Sequence, residues 1–401
     1  MTPTVRTGLD VLRAQGFAPL KGKRVGLVTH PAAVAANGDG RLYHTAVELI
    51  ASAPDVQLAV LFGPEHGLTG EAQDLQGVAS GHHDPGTPVP VHSLYGDTFD
   101  SLTPSAAQLR GLDVLVIDLQ DVGARYYTFH ATMLYCMEAA ASIGLPVVVL
   151  DRPNPIAYLG VEGPTVRPGY ESFVGPHSLA TAHGMTIGEL AMLYKAERVP
   201  DVNLTVVPCE GWKRSTVPDG FPVPWVPPSP NMSGPATAVI YPGMCLIEGT
   251  NLSEGRGTTR PFEYVGAPGV SPRKLADRLH GERLPGVEFL PAYFRPTFQK
   301  HAGHTCGGVF IVASADPAFR PVRTGLAVLM TLRDLLGESF GWRTETYEFV
   351  SHIPAIDLLF GSDRERKAIE AGKPWQDVAA AWEAEERAFA ERRKPYLLYP
   401  D

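Results

Sequence analysis

Four short runs of Val, Leu and Ile occur in the first 150 residues, and each ends in polar residues before a stretch with helical spacing. The runs lie at 24–30, 57–66, 113–121 and 146–154. Apolar runs without alternation are typical of strands buried on both faces of a sheet. The intervening segments 41–53 and 131–143 carry apolar residues at helical spacing, which predicts crossover helices. We therefore predict an α/β fold with a Rossmann-like, open parallel sheet.

A proline-rich segment at 218–235 separates this pattern from the rest of the chain. Each proline removes a backbone donor, which excludes a regular helix or a central strand here. Phe221, Trp225 and Met232 nevertheless lie within the segment. Large apolar side chains favour a packed crossing between two domains over a flexible linker.

The second half has the pattern of an α+β domain. We predict helices at 271–282 and 322–336, a strand at 307–314, and one long charged helix at 375–394. The last helix keeps apolar residues, such as Trp382 and Phe389, on one face and is expected to dock through it. We predict a Rossmann-like domain at 1–230, a smaller α+β domain at 231–401, and an active-site cleft between them.

Composition and charge exclude several classes of protein. The chain has 401 residues, 44% of them hydrophobic and 19% charged, which is typical of globular proteins. The net charge of −9 is spread along the chain, so no basic face for nucleic acid is expected. No apolar run is long enough for a membrane helix, and the N-terminus lacks the apolar core of a signal peptide. We expect a cytoplasmic protein, or a secreted or periplasmic one if a leader precedes this sequence.

The cysteines are far apart in the sequence, and most have apolar neighbours. They are Cys136, Cys209, Cys245 and Cys306. This pattern favours buried free thiols over a disulfide framework.

Polar side chains follow all four predicted strands of the first half. They are Thr29, His30, Glu65, His66, Asp118, Gln120, Asp121, Arg125, Tyr126, Asp151, Arg152 and Asn154. Ligands of open parallel sheets bind beyond the carboxyl ends of the strands, so this set predicts a site. Helix caps and turns use the same residue types, and that interpretation stays open.

Glu65 occupies the most constrained position of this set. Pro64 fixes its own φ and restricts the preceding residue, while Gly67 permits a positive φ, so the turn should be tight. A carboxyl partly desolvated beside Phe62 and Leu68 would have a raised pKa. We therefore expect Glu65 to act as a general acid near neutral pH.

A second polar segment, 248–263, is rich in glycine and poor in apolar residues. It carries Glu248, Asn251, Glu254, Arg256 and Arg260. A loop of this composition is either disordered or wrapped around a polar ligand, and we expect it to close over the cleft. Carboxylates, amides and arginines together suit a sugar more than a phosphate.

Other catalytic motifs are missing from the sequence. There is no Gly-x-Gly-x-x-Gly fingerprint, no Walker loop and no Gly-x-Ser-x-Gly elbow, so we predict no cofactor. His82, His83 and His92, with Asp84, are a weak candidate metal site because their spacing matches no standard ligand set. A weaker one comprises His301, His304 and Cys306. We predict that the site holds no metal.

Seven segments resemble, in order, motifs of the NamZ-type exo-β-N-acetylmuramidases, which form glycoside hydrolase family 171. They are FGPEHGLTG (62–70), DLQDVGARYYT (118–128), VLDRPNP (149–155), HGMTIGELA (183–191), PSPN (228–231), YPG (241–243) and EGTNLSEGRGTTRPFE (248–263). The resemblance covers nearly the whole chain. It implies a Rossmann-like domain followed by a smaller one, with the site in the cleft between them. It also implies removal of N-acetylmuramic acid from the non-reducing ends of peptidoglycan fragments, with Glu65 as the catalytic glutamate.

A glycosidase usually needs a second carboxyl group opposite the acid. Glu254 and Asp121 are our candidates, unless the acetamido group of the substrate attacks instead. The lactyl carboxylate of muramic acid calls for an arginine, and we expect Arg125 or Arg256, with Arg152 as a weaker candidate.

The remaining predicted substrate contacts combine the strand ends, the polar loop and the family motifs. They are His66, Gln120, Tyr126, Asp151, Asn154, His183, Asn231, Glu248 and Asn251. The expected partner is a small carbohydrate, a muropeptide or a disaccharide of muramic acid and glucosamine, with no nucleic acid and no membrane insertion. A non-catalytic sugar-binding protein and a metal-dependent hydrolase are the alternative functions.

Overall fold

The computed structural model describes residues 5–36, 43–81, 88–217 and 225–400. The strands are β1 (Lys23–Thr29), β2 (Val34–Ala36), β3 (Tyr43–Thr45), β4 (Val56–Gly63), β5 (Val91–Ser93), β6 (Val114–Asp118), β7 (Val147–Leu150), β8 (Glu162–Thr165), β9 (Ala180–Ala182), β10 (Leu204–Val207), β11 (Tyr264–Ala267), β12 (Val287–Phe294) and β13 (Cys306–Ala313).

Helices alternate with these strands in the first half and dominate the end of the chain. They are α1 (Gly8–Ala14), α2 (Ala46–Ala51), α3 (Ala106–Leu109), α4 (Phe129–Ser142), α5 (Ile187–Glu197), α6 (Pro235–Met244), α7 (Pro272–Gly281), α8 (Pro321–Leu336), α9 (Ala355–Phe360), α10 (Arg364–Glu370), α11 (Trp375–Ala380) and α12 (Glu383–Arg393). None of the described helices is long and apolar enough to cross a bilayer.

Six strands form the central sheet in the order β10-β7-β6-β1-β4-β5, and every pairing is parallel. Numbered along the chain within the sheet, this is the order 6-5-4-1-2-3, which is that of a Rossmann fold. The predicted fold class is confirmed. The order reverses beside β1, so the carboxyl ends of β1, β4 and β6 surround the crevice where ligands of such sheets bind.

The four apolar runs form β1, β4, β6 and β7, because their Val, Leu and Ile side chains are covered on both faces. All five residues of β6 and all four of β7 are buried. Helices α1 and α2 pack on one face with β1 and β4, and α4 and α5 pack on the other. Rigid central strands thus fix where their polar carboxyl ends lie.

Two predicted helices differ from the structure. The first begins at Ala46 instead of near residue 41, because Thr45 caps it and forms a reciprocal capping box with Glu48. The predicted helix at 375–394 is two helices, α11 and α12. The chain turns at Trp382, whose buried ring donates a hydrogen bond to Glu365 at 3.2 Å. The predicted apolar contacts of Trp382 and Phe389 are confirmed, since both are buried.

The second half contains the expected α+β arrangement. An antiparallel sheet in the order β11-β13-β12 packs against α7, and α8 packs against α6. One continuous apolar cluster joins this region to the α4 face of the central sheet. The four cysteines are buried free thiols, as predicted.

The proline-rich crossing is described from Trp225 onward, and Phe221 lies outside the described residues. The indole of Trp225 donates to the Met232 carbonyl at 3.0 Å, and Met232 is buried. The division into domains at residues 230 and 231 stays a prediction.

Candidate active site

An enclosed polar cavity lies beyond the carboxyl ends of the central strands. Six of the predicted site residues line it: Glu65, His66, Tyr126, Asn231, Glu248 and Arg256. The first three follow β4 and β6, whereas the last three come from 231 onward. The sheet and the polar loop therefore contribute to one cavity, as the sequence predicted for them.

Glu65 lies in a hydrogen-bonded turn directly after β4. The Gly67 amide donates to the Pro64 carbonyl at 2.9 Å, and Gly67 has the predicted positive φ, 82°. His66 also has a positive φ, 72°, which is unusual for a residue with a side chain. The Glu65 side chain is only 5% exposed. Its position is thus set by a constrained backbone rather than by packing alone.

Thr128, at the start of α4, holds the Glu65 carboxyl. Its hydroxyl donates to Oε2 of Glu65 at 2.6 Å. Among the described residues, Glu65 forms no ion pair. A buried carboxyl with a hydroxyl partner and no cation is available to a ligand or to chemistry.

Arg256 forms the charged centre of the opposite wall. Its guanidinium lies 2.6 Å from Glu248, 3.2 Å from Asp74 and 3.5 Å from Glu254. Burial opposes the charge of Glu248, but Arg256, the Tyr347 hydroxyl and Lys300 together outweigh burial and lower the Glu248 pKa. Asp74 behaves differently, since burial raises its pKa to about 6 despite Arg256. Glu248 is thus held as a carboxylate, while Asp74 is the more weakly held partner.

Glu348 is a cavity residue that the sequence analysis missed. It is 5% exposed, and the Tyr95 hydroxyl donates to its Oε2 at 3.0 Å. Burial first, and then the charge of Glu65, raise the Glu348 pKa well above its ordinary value. Its sequence context, Tyr-Glu-Phe, matches no motif. Aromatic residues on both sides of an acid were the only signal available.

Three predicted residues of the β6 and β7 ends have structural partners instead of lining the cavity. Asp121 accepts the Gly123 amide at 2.6 Å and lies 3.4 Å from His183. Gln120 donates to the carbonyls of Asp121 and Pro153 at 2.7 and 2.9 Å. Asn154 donates to the Met185 carbonyl at 2.8 Å. The alternative interpretation of these strand ends, as turn residues, fits them better.

Three further predicted residues are buried in the framework. Asp151 accepts hydrogen bonds from Thr186 at 2.8 Å and from the Gly188 amide at 2.7 Å, which fixes α5 to the sheet. His183 accepts the Met185 amide at 3.2 Å. Arg125 donates to the Leu359 carbonyl at 2.7 Å, away from the cavity. A direct substrate contact would require each of them to move.

The polar loop divides into residues that line the cavity and residues that hold the loop. Glu254 binds Lys300 at 2.9 Å, behind Arg256. Asn251 is exposed and exchanges hydrogen bonds with Ser339 and Gly341 at 2.8 and 3.0 Å. Neither candidate for the second carboxyl, Glu254 or Asp121, lines the cavity. Arg152, the weaker candidate for the lactyl carboxylate, forms a buried ion pair with Asp118 at 2.5 Å.

The candidate metal sites find no support in the parts of the chain that the structure describes. No group of three His, Cys, Asp or Glu side chains there is arranged to hold an ion. His82, His83 and Asp84 lie outside the described residues. His92 lies against the Phe62 ring, with 5.7 Å between centroids.

The cavity is closed around its carboxyls. Its volume is about 40 Å³, whereas ligand sites typically measure about 300–1,000 Å³. Glu348 also lines a separate recess of about 250 Å³, together with Leu75 and Gly77. A sugar can reach Glu65 only if the lining moves. Asp74 belongs to the segment after the Glu65 turn and bridges the cavity to Gln299, which donates to it at 2.9 Å.

Comparisons with known proteins cover nearly the whole chain. The family models described as exo-beta-N-acetylmuramidase NamZ, N-terminal and C-terminal, match residues 25–236 and 239–399. The peptidoglycan beta-N-acetylmuramidase NamZ of Bacillus subtilis is 44% identical over 397 residues, which are 99% of this chain and 92% of that protein.

Two crystal structures of DUF1343 family proteins from Bacteroides fragilis are similar along 99% of both chains. One has a TM-score of 0.88 at 33% identity, and the other a TM-score of 0.74 at 29% identity.

Proposed function

The chain belongs to the NamZ family of exo-β-N-acetylmuramidases, and we propose that it hydrolyses the glycosidic bond of a terminal N-acetylmuramic acid, with Glu65 acting directly at that bond. The substrate class is a carbohydrate derived from peptidoglycan. The disaccharide of N-acetylmuramic acid and N-acetylglucosamine is the smallest fragment that presents both sides of the bond.

One observation carries the assignment of Glu65. It is a buried carboxyl without an ion-pair partner among the described residues, held by Thr128 in a cavity that both halves of the chain enclose. Excluding water around such a group strengthens its electrostatic interactions with a bound sugar. Removing water also prevents the carboxyl from being screened while the oxocarbenium-like transition state forms.

Arg256 is the residue that we propose for the lactyl carboxylate of muramic acid. It is the only arginine or lysine among the described residues that line the cavity. Three carboxylates already surround it, so the substrate must displace one of them. Asp74, at 3.2 Å and with its pKa raised to about 6 by burial, is the one we expect to leave. Its departure would also release the Gln299 bridge and open the cavity.

The test is to incubate the purified protein with the muramic acid–glucosamine disaccharide and to measure free N-acetylmuramic acid. We expect release of one muramic acid per bond, unchanged by a chelator. Binding without release would support a sugar-binding protein instead. Activity that a chelator abolishes and a metal restores would support a metal-dependent hydrolase.

A further inference from the structure

The four carboxyl groups that line the cavity are of two kinds. Glu248 and Asp74 both contact the guanidinium of Arg256, which offsets their charge. Glu65 and Glu348 have no cationic partner among the described residues, and each has a hydroxyl partner, Thr128 and Tyr95. Each ionised carboxyl makes the ionisation of another in the same cavity less favourable. Burial first, and then the charge of Glu65, raise the Glu348 pKa well above its ordinary value, so we expect Glu348 to be protonated at neutral pH.

Glu348 is held in place by a strained turn. Tyr347 and Val350 exchange two backbone hydrogen bonds at 2.9 Å, so Glu348 and Phe349 form the two-residue connection between them. Both have positive φ, 46° and 67°. Such a turn normally uses Asn and Gly, because a larger side chain strains the backbone at positive φ. Strain of this kind is commonly found at functional sites, where neighbouring contacts maintain it.

Contacts with the first half of the chain maintain this turn. The Phe349 ring packs edge-on against Tyr95, with 5.5 Å between centroids, and the Tyr95 hydroxyl binds the Glu348 carboxyl. The turn and the Glu65 turn thus present their carboxyls to the same space from opposite halves of the chain. Glycosidases usually place two carboxyls on either side of the scissile bond.

We propose that Glu348 is the second catalytic carboxyl and supplies the proton to the leaving oxygen, while Glu65 is the carboxylate opposite it. This inference rests on the proposed function. It moves proton donation from Glu65, where the sequence placed it, to a residue of the second half.

The reaction then balances as a hydrolysis. The Glu348 proton passes to the glycosidic oxygen as the bond between that oxygen and C1 of muramic acid breaks, and the bonding electron pair stays with the oxygen. A water molecule adds to C1 and gives one proton to a carboxylate of the pair. That proton replaces the one that Glu348 gave up, and one water molecule has been consumed.

Two substrates whose leaving groups differ in their need for a proton distinguish proton donation by Glu348 from its other possible roles. In the disaccharide the leaving group is a sugar alkoxide, which needs a proton. In a 4-nitrophenyl β-N-acetylmuramide it is a phenolate, which leaves without one. For Glu348→Gln we expect kcat/KM to fall about 10²–10⁴-fold on the disaccharide and less than tenfold on the aryl glycoside. Glu345→Gln, three residues earlier with a 77% exposed side chain, is the matched control and should change neither.

The pH profile gives a second readout. A proton donor is active only below its pKa, so the wild-type kcat/KM should fall as the pH rises through the raised pKa of Glu348. Glu348→Gln should lack this alkaline limb. Tyr95→Phe removes a hydrogen bond that lowers the Glu348 pKa, so this variant should move the alkaline limb to higher pH. If Glu348→Gln does not fold, the pH profile of Tyr95→Phe tests proton donation by Glu348 instead.

Equal losses on both substrates, unchanged activity, or an alkaline limb that Tyr95→Phe leaves in place would each overturn the role of Glu348. A wild-type protein that hydrolyses neither substrate would instead overturn the proposed function itself.

Discussion

Buried carboxyl groups occur in two neighbouring regions of this molecule, and their partners differ. At the ends of β6 and β7, Asp118 is held by both nitrogens of the Arg152 fork, at 2.5 and 2.9 Å. Asp151 receives a threonine hydroxyl and a backbone amide. In the cavity, Glu65 and Glu348 each have a single hydroxyl partner and empty space beside them.

This difference shows that burial alone does not identify a catalytic carboxyl. Burial raises the pKa of Asp151 to about 6. Asp151 nevertheless has a structural role, because its hydrogen bonds with Thr186 and Gly188 fix α5 to the sheet. What distinguishes the cavity pair is that Glu65 and Glu348 each have one hydroxyl partner and otherwise face the cavity. Substitutions of the cavity carboxyls should therefore reduce activity, whereas substitutions at the ends of β6 and β7 should reduce folding stability.

The largest effect is expected for Glu65→Gln, which keeps the size of the side chain and removes its charge. Activity on the disaccharide should fall about 10²–10⁴-fold, because a reacting carboxyl is lost. Stability should be unchanged or slightly higher, because a poorly compensated buried charge is removed. Muramic acid release and urea unfolding measure the two properties. Glu71→Gln, in the same segment, is the control, and a Glu65→Gln variant with wild-type turnover would remove Glu65 from the reaction.

Asp118→Asn should reduce folding stability and leave activity unchanged. It leaves the Arg152 guanidinium buried without its charged partner, which typically costs about 3–5 kcal/mol of folding stability. The urea midpoint should drop accordingly, while the folded fraction keeps its activity. A stable but inactive variant would show that the strand-end pair belongs to the catalytic region after all.

The Arg256→Lys variant tests whether Arg256 binds the lactyl carboxylate. Arg256→Lys keeps the charge and loses the planar fork, so a charge-assisted hydrogen bond of about 1.5–3 kcal/mol should be weakened. We expect kcat/KM on an aryl muramide to fall about 10–100-fold, by the usual conversion of about 1.4 kcal/mol per tenfold. An aryl N-acetylglucosaminide, which lacks the lactyl group, should be affected less. Equal losses on the two glycosides would exclude this role.

The smallest effect is expected for Thr128→Val, which removes the hydroxyl that holds Glu65. A single hydrogen bond contributes about 1 kcal/mol, which corresponds to roughly a fivefold loss of kcat/KM. Thr132→Val is the matched control on α4, because the Thr132 hydroxyl is buried without a hydrogen-bond partner among the described residues. The hypothesis fails if both variants lose the same activity.

The sequence predicted the sheet and the Glu65 turn because both depend on local chemistry. Strands covered on both faces need continuous runs such as that of β6, and the Pro64 and Gly67 flanks of Glu65 constrain the turn wherever it lies. The same reasoning placed Asp121 and Asn154 at strand ends correctly. It could not tell that their side chains bind backbone groups, because that depends on how the following segments pack.

Glu348 could not be predicted for a different reason. Its turn has no Gly or Asn, and its hydroxyl partner, Tyr95, is 253 residues away in the chain. Only the tertiary structure forces the positive φ values and brings the carboxyl to the cavity. The partner that we propose for Glu65 thus lies in a segment with no local signal, whereas the sequence analysis favoured Glu254 and Asp121.

The most direct measurement is a crystal structure of Glu65→Gln with the unhydrolysed disaccharide bound. In our proposal, each half of the chain places one carboxyl at the scissile bond. We expect the glycosidic oxygen within about 3.2 Å of Glu348, residue 65 near C1 on the other side, and the lactyl group on Arg256 in place of Asp74. A disaccharide bound elsewhere, or one whose glycosidic oxygen faces neither residue, would contradict it.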